Sequence, residues 1–359
     1  MVATSEQFGR DNPGVSIGWE QRSLQDFESQ PLEELASTYD LIVIDYPHIG
    51  PAVKAGLLLP LDAHDTGGYI DIQRQHSVGP SHSSYQLHGH QWALAIDAAT
   101  PVSIHRAGKL RDVPTRWEEV MELSRAGRVL IPLRAPHALI ALMWIANNHG
   151  FPVAKAHDRF MENHHLRHSL QQLKRVVDHI DRACFEQDPI AVQDVMSAGA
   201  DAPDYCPFSY GYVSYAREGF RPLRLNYANT PEVGNRGSGG SVLGGTGIAV
   251  SALSRHADLA VKYAFWVTSE PIQRGLYFDS GGQPGLGLAW ESGHCNAASG
   301  NFFANTRATL EGAWLRPNYA DYLKFQETGS QAVSAYLKGE RDVDESLGLI
   351  DNLYRSSLA

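Results

Sequence analysis

The chain has 359 residues, 43% hydrophobic and 19% charged, the composition of an ordinary soluble globular protein, and its length exceeds what one core usually serves, so two lobes or domains are expected. A formal net charge of −10 argues against a nucleic-acid partner, because phosphate contacts need concentrated Lys and Arg. No apolar run reaches the roughly 18 residues that a membrane-spanning helix requires.

Thr4 to Arg10 reads as a helix that stops at the turn Asp11-Asn12-Pro13-Gly14. No basic region followed by an apolar core precedes it, so no signal peptide is expected in this chain. Val15 to Trp19 alternates in the manner of a half-buried strand, and Leu24 to Ser37 is helical in composition. Asp40-Leu-Ile-Val-Ile-Asp45 is a short apolar run bounded by acids, the pattern of a buried parallel strand. The loop Tyr46-Pro-His-Ile-Gly50 leaves its carboxyl end, and Lys54 to Asp62 ends a short helix in a Leu-Pro-Leu-Asp turn. Tyr85 to Ile96 reads as a hairpin turning at Gly89; Asp97 to Pro101 interrupts it, and a strand resumes over Val102 to His105.

Thr115 and Glu118 suggest a capping box for the following helix. Arg128 to Leu133 reads as a strand, Ala138 to Asn147 as an apolar helix, and Asp158 to about Ala200 as helical. Tyr205 to Tyr215 is read as an aromatic loop and helix start, and strands over Leu223 to Tyr227 and Val242 to Val250 flank the loop Asn235 to Gly240. Two amphipathic helices close the chain. Alternating strands and helices imply an α/β architecture with parallel-rich sheets. Cys184, Cys206 and Cys295 include no C-x-x-C pair, and buried free thiols are preferred over a Cys184–Cys206 bridge.

Asp45, Tyr46 and His48 leave a strand's carboxyl end, where α/β sheets present ligands. A carboxylate there accepts hydroxyl hydrogen bonds and a Tyr ring stacks on a sugar's apolar face; a capping Asp and a packed Tyr are the alternative. Asp97 is either a ligand contact or a turn former. Gly244 to Gly247 is no phosphate loop, since a strand follows it, and it reads as a turn in which amides near Gly245 and the Thr246 hydroxyl meet ligand. Gln283 sits in a similar tight turn. Arg134 and His137 flank Pro136 at a helix start, where exposed amides favour an anionic or polyhydroxyl group; a solvated Arg and a helix-start His are the alternative.

Sixteen histidines raise the question of a metal. His164, His165 and His168 lie on one helix and His88 and His90 on one strand face, but with no H-E-x-x-H and no accompanying Cys they read as surface histidines. The G-x-S-x-G match at Gly14 to Gly18 opens a strand, not the strand-to-helix turn of a nucleophile elbow.

The order of DLIVID, PTRWEE, the Tyr210–Tyr212 segment, GGTGIAVS, SEPIQ, GGQP and WLRP resembles the family 1 extracellular solute-binding proteins of ABC transporters. The resemblance implies a two-lobed periplasmic-binding-protein fold, each lobe a mostly parallel sheet flanked by helices, joined by hinge crossovers. It implies an N-lobe of residues 1–102 plus 250–300 and a C-lobe of 103–249 plus 301–359. It also implies that Asp45, Tyr46, His48 and Asp97 meet ligand from the N-lobe, and that Tyr210 and Tyr212 lie over it from the C-lobe. Gly211 would let the backbone approach, while Trp314 and Arg316, near the third crossover, line the cleft or brace the hinge.

The implied function is reversible binding of a small polar ligand, a sugar or sugar derivative, for delivery to an ABC permease. The implied receptor is a periplasmic monomer that needs no cofactor or metal and catalyses nothing. The same acids suit a polyamine or another cation. The family's signal peptide and first strand are missing here, which leaves a cytosolic sensor or enzyme on the same scaffold as the other class. Ferric binding is disfavoured, because no adjacent Tyr-Tyr pair occurs.

Overall fold

A computed structural model describes residues 1–21, 31–199 and 201–358, so most of the expected helical segment before Leu32, and Ala200, lie outside the described residues. The strands in chain order are β1 (Leu41–Ile44), β2 (Gln86–Leu87), β3 (His90–Gln91), β4 (Ala93–Ala95), β5 (Pro101–Arg106), β6 (Tyr205–Tyr210), β7 (Leu225–Ala228) and β8 (Gly247–Val250). Contacts divide the chain into two units, Met1–Ala99 with Gly244–Ala297 and Thr100–Leu243 with Ala298–Ala359. The chain therefore changes unit after Ala99, Leu243 and Ala297; the breaks expected from sequence follow 102, 249 and 300.

The first unit is built on the sheet β1-β8-β4. One of its faces meets the helix Ala257–Val267, whose Tyr263, Ala264 and Val267 bury against Leu94, Ile96, Ile248 and Val250. The N-terminal helix Val2–Asp11 adds Phe8, which is fully buried with its ring edge-on to Tyr263 at 5.2 Å. The expected hairpin forms: β2 and β3 pair across His88 and Gly89, both at positive φ (52° and 83°), as a two-residue primed turn requires.

The second unit centres on the helix His137–Asn148, every residue of which is buried. A helix apolar on all sides belongs in a core. Its Trp144 stacks on Phe208 of β6 at 4.3 Å, and Leu139 meets Gly329 of the helix Tyr322–Lys338. The sheet beside it has the order β6-β5-β7.

The α/β reading holds, but the expected parallel-rich sheets do not. Every ladder among the described strands is antiparallel, and parallel pairing occurs only as isolated bridges such as Val129–Tyr205 and Val242–Trp314. An apolar run such as β1 reports burial on its faces and carries no information on strand direction. Val15 to Trp19 joins no ladder, although Val15, Ile17 and Trp19 do pack on the first core as their alternation requires. Arg128 to Leu133 is likewise extended but not a strand: the Leu130 amide bonds Tyr205, and the Leu133 amide bonds Cys184 in the short helical turn Arg182–Glu186.

Tyr205 to Tyr210, expected as a loop, is strand β6. Pro207 hid it, and the register explains how it is tolerated: Val102 faces Ser209 while Ile104 faces Cys206, so Pro207 falls at a bulge. The capping box sits one residue later than expected, with Glu119 Oε2 accepting from the Thr115 and Arg116 amides (2.7 and 3.1 Å). All three cysteines are buried and none forms a disulfide among the described residues, and burial pushes the Cys184 and Cys206 thiols up to about 12, which leaves them unreactive. Among the described residues no helix is long and apolar enough to cross a membrane.

Candidate functional site

In the first unit the expected residues gather at one end of the sheet. Ile44, Gly247 and Ala95 are in register across β1, β8 and β4, so Asp45, Thr246 and Ile96-Asp97 follow one another along the same edge. The Ile96 and Asp97 amides both donate to the Thr246 carbonyl (3.0 and 3.1 Å), which locks the chain that carries Asp97 onto the start of β8. Gly245 holds φ at +94°, and a Cβ there would stand 2.6 Å from the Asp97 carbonyl oxygen. Only glycine fits both demands.

The turn Gly281 to Gly285 closes on the same place. Gln283 is buried and donates from Nε2 to the Ala98 carbonyl (2.9 Å); Gly285 donates to Ile96, and Gln273 Oε1 accepts from the Gly285 amide. A Cβ on Gly282 would lie 2.4 Å from the Tyr277 ring, which packs beneath the turn. Asp97 itself is half-buried, with Oδ1 shielded from solvent and accepting no hydrogen bond among the described residues. Burial and then the charge of Asp45 push its carboxyl up to about 7. A desolvated acceptor of this kind costs free energy until a donor meets it.

Asp45 accepts from the Tyr46 amide (2.8 Å) and caps the short turn Tyr46–His48, so its capping role is realised. Tyr46 is only 2% exposed and lies in the core, whereas His48 is half-buried. In the same unit a cavity of about 250 Å³, lined by Trp19, Tyr39 and Leu259 among others, holds none of the expected residues.

In the second unit a different set comes together. The His137 ring stands edge-on to Tyr210 at 6.1 Å, and its basicity is depressed to about 4, first by burial, with Asp188 opposing and Arg316 and Arg134 reinforcing the drop. Arg316 is buried and donates to Gln326 (2.8 Å), while Arg134 is exposed with Asp188 at 3.9 Å. Trp314 is half-buried, its backbone bridged to Val242 and its amide bonded to Ser241. The Tyr212 amide donates to Gln193 Oε1 and its carbonyl accepts from the Tyr227 hydroxyl.

Sequence reasoning missed Gln193, Asp188 and Tyr277. Gln193 is fully buried: its Nε2 donates to the Tyr210 carbonyl (3.0 Å), and its Oε1 accepts from the Tyr227 hydroxyl (2.5 Å) and the Tyr212 amide (3.4 Å). One amide thus fixes both flanks of the Tyr210–Tyr212 segment. Asp188-Pro189 carried a legible signal, an N-cap before proline, and Asp188 does cap the helix Pro189–Ala198. No group of three or more His, Cys, Asp or Glu among the described residues is arranged to hold a metal.

A family model described as bacterial extracellular solute-binding protein matches residues 3–286. The chain is similar in structure to maltose-bound MalE3 of T. maritima (TM-score 0.83, 15% identity, covering 98% of this chain and 94% of that one). It is also similar to a solute-binding protein of Agrobacterium radiobacter in complex with ribitol (0.81, 18%, 99% and 94%). A solute-binding protein of Thermotoga lettingae bound with α-D-tagatose is a third (0.81, 14%, 100% and 95%). At these identities the likeness establishes the fold. No curated protein matches the sequence.

Proposed function

This chain belongs to the bacterial extracellular solute-binding proteins, and on that premise we propose that it binds a neutral polyhydroxyl solute, a sugar or polyol, for delivery to an ABC permease. The observation that carries the reading is the Asp97 carboxyl, whose shielded Oδ1 has no donor among the described residues. A ligand hydroxyl supplies that donor. Because the carboxyl titrates near 7, it accepts or donates a hydrogen bond with little need to be fully ionised, which suits a hydroxyl better than an ammonium group. The relatives bound to maltose, ribitol and tagatose support the same solute class.

Thr246 and Asp45 flank Asp97 and complete this face; His48, Gln283 and the backbone at Gly245 frame it. Arg134, His137, Tyr210, Tyr212, Trp314 and Arg316 are proposed as a second set of contacts, with the Tyr rings and Trp314 offering stacking surface to a pyranose or polyol chain. Tyr46 is assigned to packing. The receptor acts as a periplasmic monomer, captures without catalysis and releases its ligand unchanged.

Thermal-shift and calorimetric screening of maltose, ribitol, mannitol and tagatose against putrescine and spermidine tests the reading. Saturable binding of at least one sugar or polyol is expected. Binding of the amines alone would replace the neutral ligand with a cation.

A further inference from the structure

We propose that His149 and His168 form a transition-metal site in the second unit, with the side-chain amide of Gln172 as a third donor and water completing the shell. His149 follows directly on the central helix His137–Asn148, and His168 lies in the helix Asn163–Val177. Their Nε2 atoms are 3.3 Å apart. Two nitrogens at that separation subtend about 107° at an ion 2.05 Å from each, close to the tetrahedral angle that zinc adopts with imidazole.

The rings are held for this by packing. The His149 ring lies parallel to Phe151 at 5.0 Å, and Phe151 in turn stacks on His165 at 3.9 Å. The His168 ring stands at 87° to His149 and 83° to Phe151. A residue any larger than glycine at 234 would meet His149 Nδ1 at 2.7 Å, so the far side of that ring is also constrained. Both histidines are half-buried and so within reach of a solvent ion.

Gln172 sits one turn beyond His168, with its Nε2 3.5 Å from His168 Nε2. Its Oε1 is shielded and has no hydrogen-bond partner among the described residues. A half-turn of the amide exchanges these two atoms and brings the oxygen to face the imidazole pair. Two imidazoles and an amide oxygen suit Zn(II), Co(II) or Ni(II) better than Mg(II) or Ca(II). The guanidinium of Arg236 near Gly150 works against a cation and weakens the site.

The test uses the full chain, free of any histidine tag and stripped with chelator, titrated with ZnCl₂ by calorimetry and with CoCl₂ by visible absorbance. One equivalent should bind, with the intense bands of tetrahedral Co(II). Affinity should fall at least tenfold in His149→Ala and in His168→Ala and severalfold in Gln172→Ala, while His164→Ala, which removes an exposed imidazole from the same helix, leaves it unchanged. In the unsubstituted chain the ¹⁵N resonances of both Nε2 atoms should move together with zinc, which keeps the test independent of whether a variant folds. A Kd weaker than about 100 μM, unmoved Nε2 resonances, or binding that survives both histidine substitutions would overturn the site.

Discussion

The two units present their candidate residues by different means. In the first, backbone does the placing: Asp97 is fixed by amides bonded to Thr246, by Gly245 at positive φ and by a glycine turn lying against β4. Its carboxyl is left with an unmatched oxygen. In the second, side chains place side chains: Gln193 spans Tyr210, Tyr212 and Tyr227, Gln326 holds Arg316, and Tyr210 meets His137 edge-on. The difference separates two kinds of fragility. Substitutions in the first should fail sterically and all at once, whereas those in the second should lose one contact at a time.

The largest expected effect follows from the backbone side. Gly245→Ala combines a left-handed φ with a Cβ placed 2.6 Å from the Asp97 carbonyl. It should destabilise the chain by about 3 kcal/mol or more in urea denaturation. Gly211→Ala, where the atoms nearest the Cβ would be side-chain atoms of Val102 and Phe302 (2.8 and 3.2 Å), has side chains to displace and should cost less. Equal costs would erase the distinction between the units.

Next in size is Asp97. Removing it in Asp97→Ala should weaken sugar or polyol binding by about 1–3 kcal/mol, measured by calorimetric titration. The ligand-free protein should respond in the opposite sense. A carboxyl with a folded pKa near 7 holds its proton where the unfolded chain has lost it, so its contribution to stability falls as pH rises from about 4 to 7. Asp97→Asn should therefore raise the melting temperature at pH 8 and change it little at pH 4. His137 runs the other way. Its depressed pKa makes the unfolded chain bind more protons between about 4 and 6.5, so stability falls as pH drops through that window, and His137→Gln should flatten the acid side. Identical pH profiles for the two variants would break the comparison.

How much of this was legible beforehand depended on the range of the interaction. Local signals were readable: the helix that stops at Pro13-Gly14, the turn at His88-Gly89, the all-apolar helix after Pro136, and the glycine turns on either side of β8. Asp45 and Asp97 could be singled out because each ends an apolar run, and the fold brings those ends to one sheet edge. Strand direction was not readable, since burial alone shapes an apolar run. Nor was Gln193, because its role consists of contacts to residues 17, 19 and 34 positions away, which leave no periodic trace. Strand β6 was hidden by a proline that only its bulge makes acceptable.

The smallest effect sharpens the account of Asp97 itself. Two causes raise its carboxyl pKa, burial first and the charge of Asp45 second. Asp45→Asn removes the second and leaves the first, and its side-chain oxygen still caps Tyr46, a role that asparagine fills about as well as aspartate. Carboxyl ¹³C titration should then show the Asp97 pKa falling, yet staying above that of an ordinary aspartate, with affinity for the solute changing far less than in Asp97→Ala. A return to the ordinary value would mean that the two acids repel across an open, wet edge. The unmatched oxygen would then be hydrated, and the argument that a ligand hydroxyl relieves it would lose its basis.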